Sequence, residues 1–124
     1  KCRAKDIVFI QLISPTTDDD RIKNVMSKAD MVYYISMLST TGGELKVDPK
    51  DIMKKYHAIK AENSNTNIII GFGITNKTIK SLKSANGLVV GSMLCKTITN
   101  SLKMRQNPVT KLDKVVYNLK NKIL

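Results

Sequence analysis

Two unbroken apolar runs end at glycine in this 124-residue sequence: Ile68-Ile69-Ile70-Gly71-Phe72-Gly73 and Leu88-Val89-Val90-Gly91-Ser92. Glycine has no Cβ, so a strand that stops there exposes bare backbone to a ligand. Gly71-Phe72-Gly73-Ile74 turns the chain out of the first run with its amides exposed. Gly91-Ser92 does the same one unit later, and Ser92 stands at the start of a helical pattern. Free N–H groups at a helix start, with the helix dipole behind them, bind anions. The Ser92 hydroxyl adds a donor. The chemistry on offer is phosphate binding; the competing reading is glycine used only for tight strand-to-helix turns.

Other candidates are weaker. Met37-Leu38-Ser39-Thr40-Thr41-Gly42-Gly43-Glu44 is polar and long for a strand-to-helix connection, and reads either as a lid or as a surface loop. Asp18-Asp19-Asp20 offers carboxylates, but acids at a helix start more often cap it. His57, the lone histidine, falls late in a helical pattern with no nucleophile or acid beside it. Tyr33, on a strand, and Phe72, at a strand end, read equally as ligand contacts or as core aromatics. Cys2 and Cys95 show no metal-ligand spacing; two lone thiols suit a reducing compartment, and Cys95 is expected in the core.

Four strand-like runs must position these residues: Ile7 to Ile13, Met31 to Ser36, Asn67 to Gly71 and Leu88 to Gly91. Their continuous apolar character suits strands covered on both faces, as in a parallel sheet. Helical patterns lie between them. The first opens at Thr17-Asp18-Asp19-Asp20 and turns Ile22, Val25 and Met26 inward. The second is capped by Asp48, with Pro49 at its first position, and repeats Ile52, Tyr56 and Ile59. The third opens near Thr75-Asn76 with Ile79 and Leu82 inward. A short helix runs from Met93 to about Ile98. The last starts at Asn107-Pro108 with the stripe Leu112, Val115, Val116, Leu119 and Ile123. The order β-α-β-α-β-α-β-α-α gives an α/β fold with right-handed crossovers and four parallel strands. Residues 1–124 read as a single domain with no internal linker.

In a (β/α)8 barrel the turns after the seventh and eighth strands are the usual phosphate site, but such a barrel has about 250 residues. Half of one is the expectation here. Lys1 to Lys5 reads as the tail of a helix that starts upstream.

The net charge of +11 comes from 21 basic and 10 acidic residues, and only Arg3, Arg21 and Arg105 are arginine. Lysines scattered over every helical pattern, with no interleaved aromatics, argue against nucleic-acid readout. No run reaches the length of a membrane span, and the charged opening shows no signal peptide.

The sequence resembles the tryptophan synthase alpha subunit family along essentially its whole length. Ser14-Pro15-Thr16-Thr17-Asp18, followed by Arg21-Ile22, is similar to the segment after that family's fifth strand. Val32-Tyr33-Tyr34-Ile35-Ser36, followed by Thr41-Gly42, resembles its sixth strand and mobile loop. Gly71-Phe72-Gly73-Ile74 resembles the signature after strand 7, and Gly91-Ser92 with Lys96 the phosphate turn after strand 8.

The resemblance implies the C-terminal half of a TIM barrel, units 5 to 8, from a lyase of tryptophan biosynthesis. That enzyme splits indole-3-glycerol phosphate into indole and glyceraldehyde 3-phosphate. Gly42, Gly73, Gly91 and Ser92 are then expected at the phosphate, Tyr33 and Phe72 at the indole, and Thr41 in loop closure. The family's acid-base Glu and its Asp partner belong to the second strand and its loop, so no catalytic residue is expected here, and the chain alone is expected to be inactive. Glu44 does not occupy their position. Met37 stands where the family usually has Arg after the Ser, which bears on docking to the beta subunit. No cofactor is expected in this chain, since pyridoxal phosphate belongs to the partner beta subunit. A cytoplasmic protein that needs a missing N-terminal half or self-association follows. The alternatives are a non-catalytic phosphate-binding half-barrel and a fragment of another sugar-phosphate barrel enzyme.

Overall fold

The computed structural model describes residues 3–36, 47–71 and 73–124. Four strands, β1 (Ile10–Ile13), β2 (Met31–Ile35), β3 (Asn67–Gly71) and β4 (Gly87–Val89), pair in chain order, and every pair is parallel. Among the described residues four helices accompany them: α1 (Asp19–Lys28), α2 (Pro49–Glu62), α3 (Ser92–Lys103) and α4 (Pro108–Ile123). Single 3-10 turns span Arg3–Lys5 and Ile79–Leu82. The expected α/β class with four parallel strands is therefore what the chain forms.

Local chemistry sets most helix starts. Asp18, rather than Thr17, is the N-cap of α1, and its carboxylate accepts from the Arg21 amide at 2.8 Å. Asp19 and Asp20 fill the first turn, where the dipole favours negative charge. Asp48 caps α2 through the Lys50 amide, and Asn107 caps α4 through the Val109 amide; each is followed by proline, whose missing N–H needs no partner there.

Alternation divides the sheet into two faces. Ile13, Val32, Tyr34, Ile68 and Ile70 point one way and are at most 2% exposed. They form one core with Ile22, Val25 and Met26 of α1, Ile52, Met53, Tyr56 and Ile59 of α2, and Ile79, Leu82 and Leu119. Register stacks this face in rows, Val32 beside Ile68 and Ile13-Tyr34-Ile70-Leu88 across the sheet. The opposite rows are Leu12-Tyr33-Ile69-Gly87 and Ile35-Gly71-Val89. That face is open: Ile10 is 41%, Leu12 58% and Val89 38% exposed.

Polar ties fix the amino ends of the strands. The Met26 carbonyl accepts from Asn63 Nδ2 and Thr66 Oγ1. Asn86 Oδ1 accepts from the Ile68 amide and the Tyr56 hydroxyl, while the Asn86 amide donates back to that hydroxyl, joining α2, β3 and the approach to β4.

Several expectations change. β1 begins at Ile10, and Ile7, Val8 and Phe9 lie exposed before it, because the neighbouring strand starts at Met31, opposite Ile10. β2 ends at Ile35 and β4 spans Gly87–Val89. The third helix shrinks to one 3-10 turn, since Thr75 and Thr78 hydroxyls take the backbone amides of residues 75, 77 and 78 into local turns. The short helix after Ser92 runs on to Lys103, with Thr97 and Ser101 hydroxyls donating to carbonyls one turn back. On α4 only Leu119 of the expected stripe is buried; Leu112 and Val115 are half-buried, and Val116 and Ile123 are exposed. Cys95 is exposed, not part of the core.

Candidate phosphate-binding site

Register brings the two glycine turns to one edge of the sheet. Gly71 pairs with Val89 on adjacent strands, so Gly73 and Gly91 each lie two residues beyond the same rung. Both are exposed at the carboxyl ends of their strands. Brackets of this kind are where parallel sheets receive ligands. Gly73 has φ 78°, a left-handed conformation that favours glycine.

Gly91 differs from Gly71 and Gly87. A Cβ at Gly91 would meet nothing within 4 Å, and its φ is −113°. Neither packing nor backbone conformation demands glycine there; close approach by a ligand would. Its carbonyl accepts from the amides of Leu94 and Cys95, opening α3. Ser92, exposed at the first helical position, sits where amides point out of the helix end rather than into its ladder.

Tyr33 lies on the open face, in the row below Gly71, and its ring leans across to the neighbouring strand. A Cβ on Gly71 would overlap the Tyr33 hydroxyl and ring carbons. Gly71 therefore makes room for the phenol, a role that its strand-end position alone does not reveal. Gly87 plays a similar part for Ile69, whose Cγ2 would lie 2.9 Å from an added Cβ. Ser36, fully buried at the end of β2, donates both its hydroxyl (2.9 Å) and its amide (3.1 Å) to the Gly71 carbonyl, holding the β3 end at a fixed height. Sequence reading missed Ser36; its place directly after a strand is the signal that could have found it.

Thr41, Gly42 and Phe72 lie outside the described residues, as do Met37 and Glu44. His57 is exposed on α2 with its ring edge against Tyr56, 5.3 Å between centroids, far in sequence and element from either turn. Asp18, Asp19 and Asp20 act at the start of α1. Among the described residues no group of three or more His, Cys, Asp or Glu side chains could hold a metal ion. On the helix side, Pro15, Tyr34, Ser36, Val47, Asp51, Ile52 and Lys55 line a cleft of about 330 Å³. Burial raises the pKa of the Tyr34 phenol above its usual 10.0. No helix among the described residues is long and apolar enough to cross a membrane.

Comparison with known proteins gives a consistent result. The family model described as "Tryptophan synthase alpha chain" matches residues 1–124. A tryptophan synthase alpha chain from Pelagibacter ubique is 63% identical over 124 residues, 99% of this chain and 47% of that protein. One from Coxiella burnetii is 33% identical, covering 90% of this chain and 43% of its own length. Among solved structures, the alpha subunit from Legionella pneumophila superposes with TM-score 0.79 at 22% identity, covering 98% of this chain and 44% of that one. A tryptophan synthase complex from Pyrococcus furiosus gives 0.73 at 26% identity, over 97% and 46%. The chain spans about half the length of the curated relatives it matches, and its sheet is the matching half of an α/β barrel. This chain belongs to the tryptophan synthase alpha chain family.

Proposed function

We propose that this chain is the phosphate-holding C-terminal half of a tryptophan synthase alpha subunit. In the completed barrel it serves a carbon-carbon lyase that splits indole-3-glycerol phosphate into indole and glyceraldehyde 3-phosphate. The observation that carries the reading is the pair of turns at Gly73 and Gly91-Ser92, level at one sheet edge, in a chain matched by the family from end to end. Backbone amides of Gly42, Gly73, Gly91 and Ser92 take the phosphate, aided by the α3 dipole. Tyr33 and Phe72 border the indole, and Thr41 closes the loop. The general acid-base pair comes from the other half, and this chain holds no cofactor; pyridoxal phosphate stays with a beta subunit that docks at the barrel mouth. The protein works in the cytoplasm.

Without the acid-base pair, turnover by this chain alone falls by at least about 10²–10⁴-fold. An indole-release assay on the isolated chain should give no signal above background, and robust turnover would overturn the reading. Calorimetry with glycerol phosphate should show binding that Gly91→Asp abolishes, because the new carboxylate faces the anion. Equal binding by wild type and variant would move the phosphate site elsewhere.

A further inference from the structure

The helix side of the sheet carries a cleft that the phosphate turns do not use. Its floor is Tyr34 of β2, Ser36 just after that strand, and Ile52 of α2, each at most 6% exposed. Pro15, in the turn after β1, and Val47, just before α2, form its apolar walls, and Asp51 and Lys55 stand at its rim. Every lining residue comes from β2, from α2 or from the turns beside them and β1, so neither the open face nor a strand edge enters it.

Tyr34 is the unusual member. It is 2% exposed, yet among the described residues its hydroxyl has no hydrogen-bond partner. Buried phenols usually find one. No fully buried side-chain nitrogen or oxygen among the described residues lacks a partner. Tyr34 Oη is therefore the accessible tip of an otherwise buried ring, and the cleft is where it is reached. Leaving such a group unpaired costs free energy that a bound molecule recovers. The burial that raises its pKa also keeps it protonated at neutral pH, so it offers both a donor and an acceptor.

The other polar groups restrict the charge of the occupant. The Ser36 hydroxyl donates to the Gly71 carbonyl at 2.9 Å. Lys55 Nζ lies 3.8 Å from the Asp19 carboxylate, and Asp51 sits in the first turn of α2, where the dipole favours it. A charged ligand would compete with these arrangements, and a neutral one leaves them intact. The volume of about 330 Å³ stands at the small end of ligand pockets. We propose that this cleft binds a small neutral molecule, mostly apolar and carrying one hydrogen-bonding group, which pairs with Tyr34 Oη. One aromatic ring, or a fused pair, with a single N–H or O–H meets these demands.

Phenol and indole are suitable probes, with toluene, phenol's near-isostere without the hydroxyl, as the control. Titrations of the full chain, followed by calorimetry and amide chemical shifts, should show one site with dissociation constants of about 0.1–1 mM. The shifts should centre on Tyr34, Ser36 and Ile52. Tyr34→Phe removes only the hydroxyl; it should weaken phenol about 5-fold and leave toluene unchanged. Val47→Trp, at a rim position 36% exposed, should fill the mouth and abolish binding of every probe, so a folding defect in one variant leaves the other to decide. No saturable binding of phenol or indole up to about 10 mM would overturn the proposal. So would an unchanged phenol affinity in Tyr34→Phe, binding that survives Val47→Trp, or shifts confined to Leu12, Tyr33 and Ile69 on the open face.

Discussion

The two faces of one sheet are built from the same strands, yet they differ in completeness. Residues facing the helices are sealed into a single core, with Ile13, Val32, Ile68 and Ile70 at 0% exposure. One residue away along each strand, Leu12 and Val89 are in contact with solvent. A β-strand sends alternate side chains to opposite sides, so the contrast cannot come from strand composition. It comes from what each side has to pack against. The helix layer stabilises the sheet from outside, while the inner lining is apolar without a facing wall among the described residues.

The largest effect that breaks this contrast is truncation on the sealed face. Ile68→Ala should destabilise the fold by about 2–5 kcal/mol, read from urea unfolding midpoints, because it leaves a cavity in the buried core. Leu12→Ala in dilute protein should change stability by less than about 0.5 kcal/mol. Equal losses would mean that the two faces are equally packed.

A smaller effect sharpens the comparison within the open face. Gly71→Ala forces the Tyr33 phenol out of its place and should cost about 1–3 kcal/mol. Combining it with Tyr33→Ala should relieve most of that loss, and a double-mutant cycle on unfolding free energies measures the coupling. Strict additivity would show that the two residues do not meet.

The smallest effect is a pH dependence on the sealed face. An unfolded tyrosine ionises near pH 10, and burial raises the folded Tyr34 value above that. The unfolded state therefore loses its proton first as pH rises. The Tyr34 contribution is fully present below about pH 10 and is lost as pH climbs toward the folded value. Unfolding midpoints between about pH 9 and 11 should fall with pH, and Tyr34→Phe should flatten that fall. An unchanged slope in the variant would assign the fall to other groups.

Much of this was legible in residue types. β3 occupies Asn67–Gly71 as its Ile run indicates, and α2 and α4 start where Asp48-Pro49 and Asn107-Pro108 say they should. These signals are local, so sequence carries them in full. Where tertiary context decided, reading fell short. Ile7-Val8-Phe9 has strand character, but the neighbouring strand begins level with Ile10. The short helix is expected to stop near Ile98, yet α3 runs on to Lys103, and inside it the Ser101 hydroxyl finds a carbonyl of its own helix. The exposed side of α4 kept the apolar stripe that periodicity places inward, for want of a surface to cover it. At the candidate site both glycine turns were visible as sequence. Their equal height depends on the pairing of Gly71 with Val89, which no local pattern encodes.

The glycines also predict how this chain tolerates genetic change. Position 71 is held by the bulk of a neighbouring ring, whereas at position 91 the place a Cβ would occupy is empty. In a saturation library, a screen for soluble expression should purge alternatives at codon 71 and leave codon 91 almost unconstrained. A second screen for anion capture should then purge codon 91, separating the selection that shapes the scaffold from the selection that shapes its use.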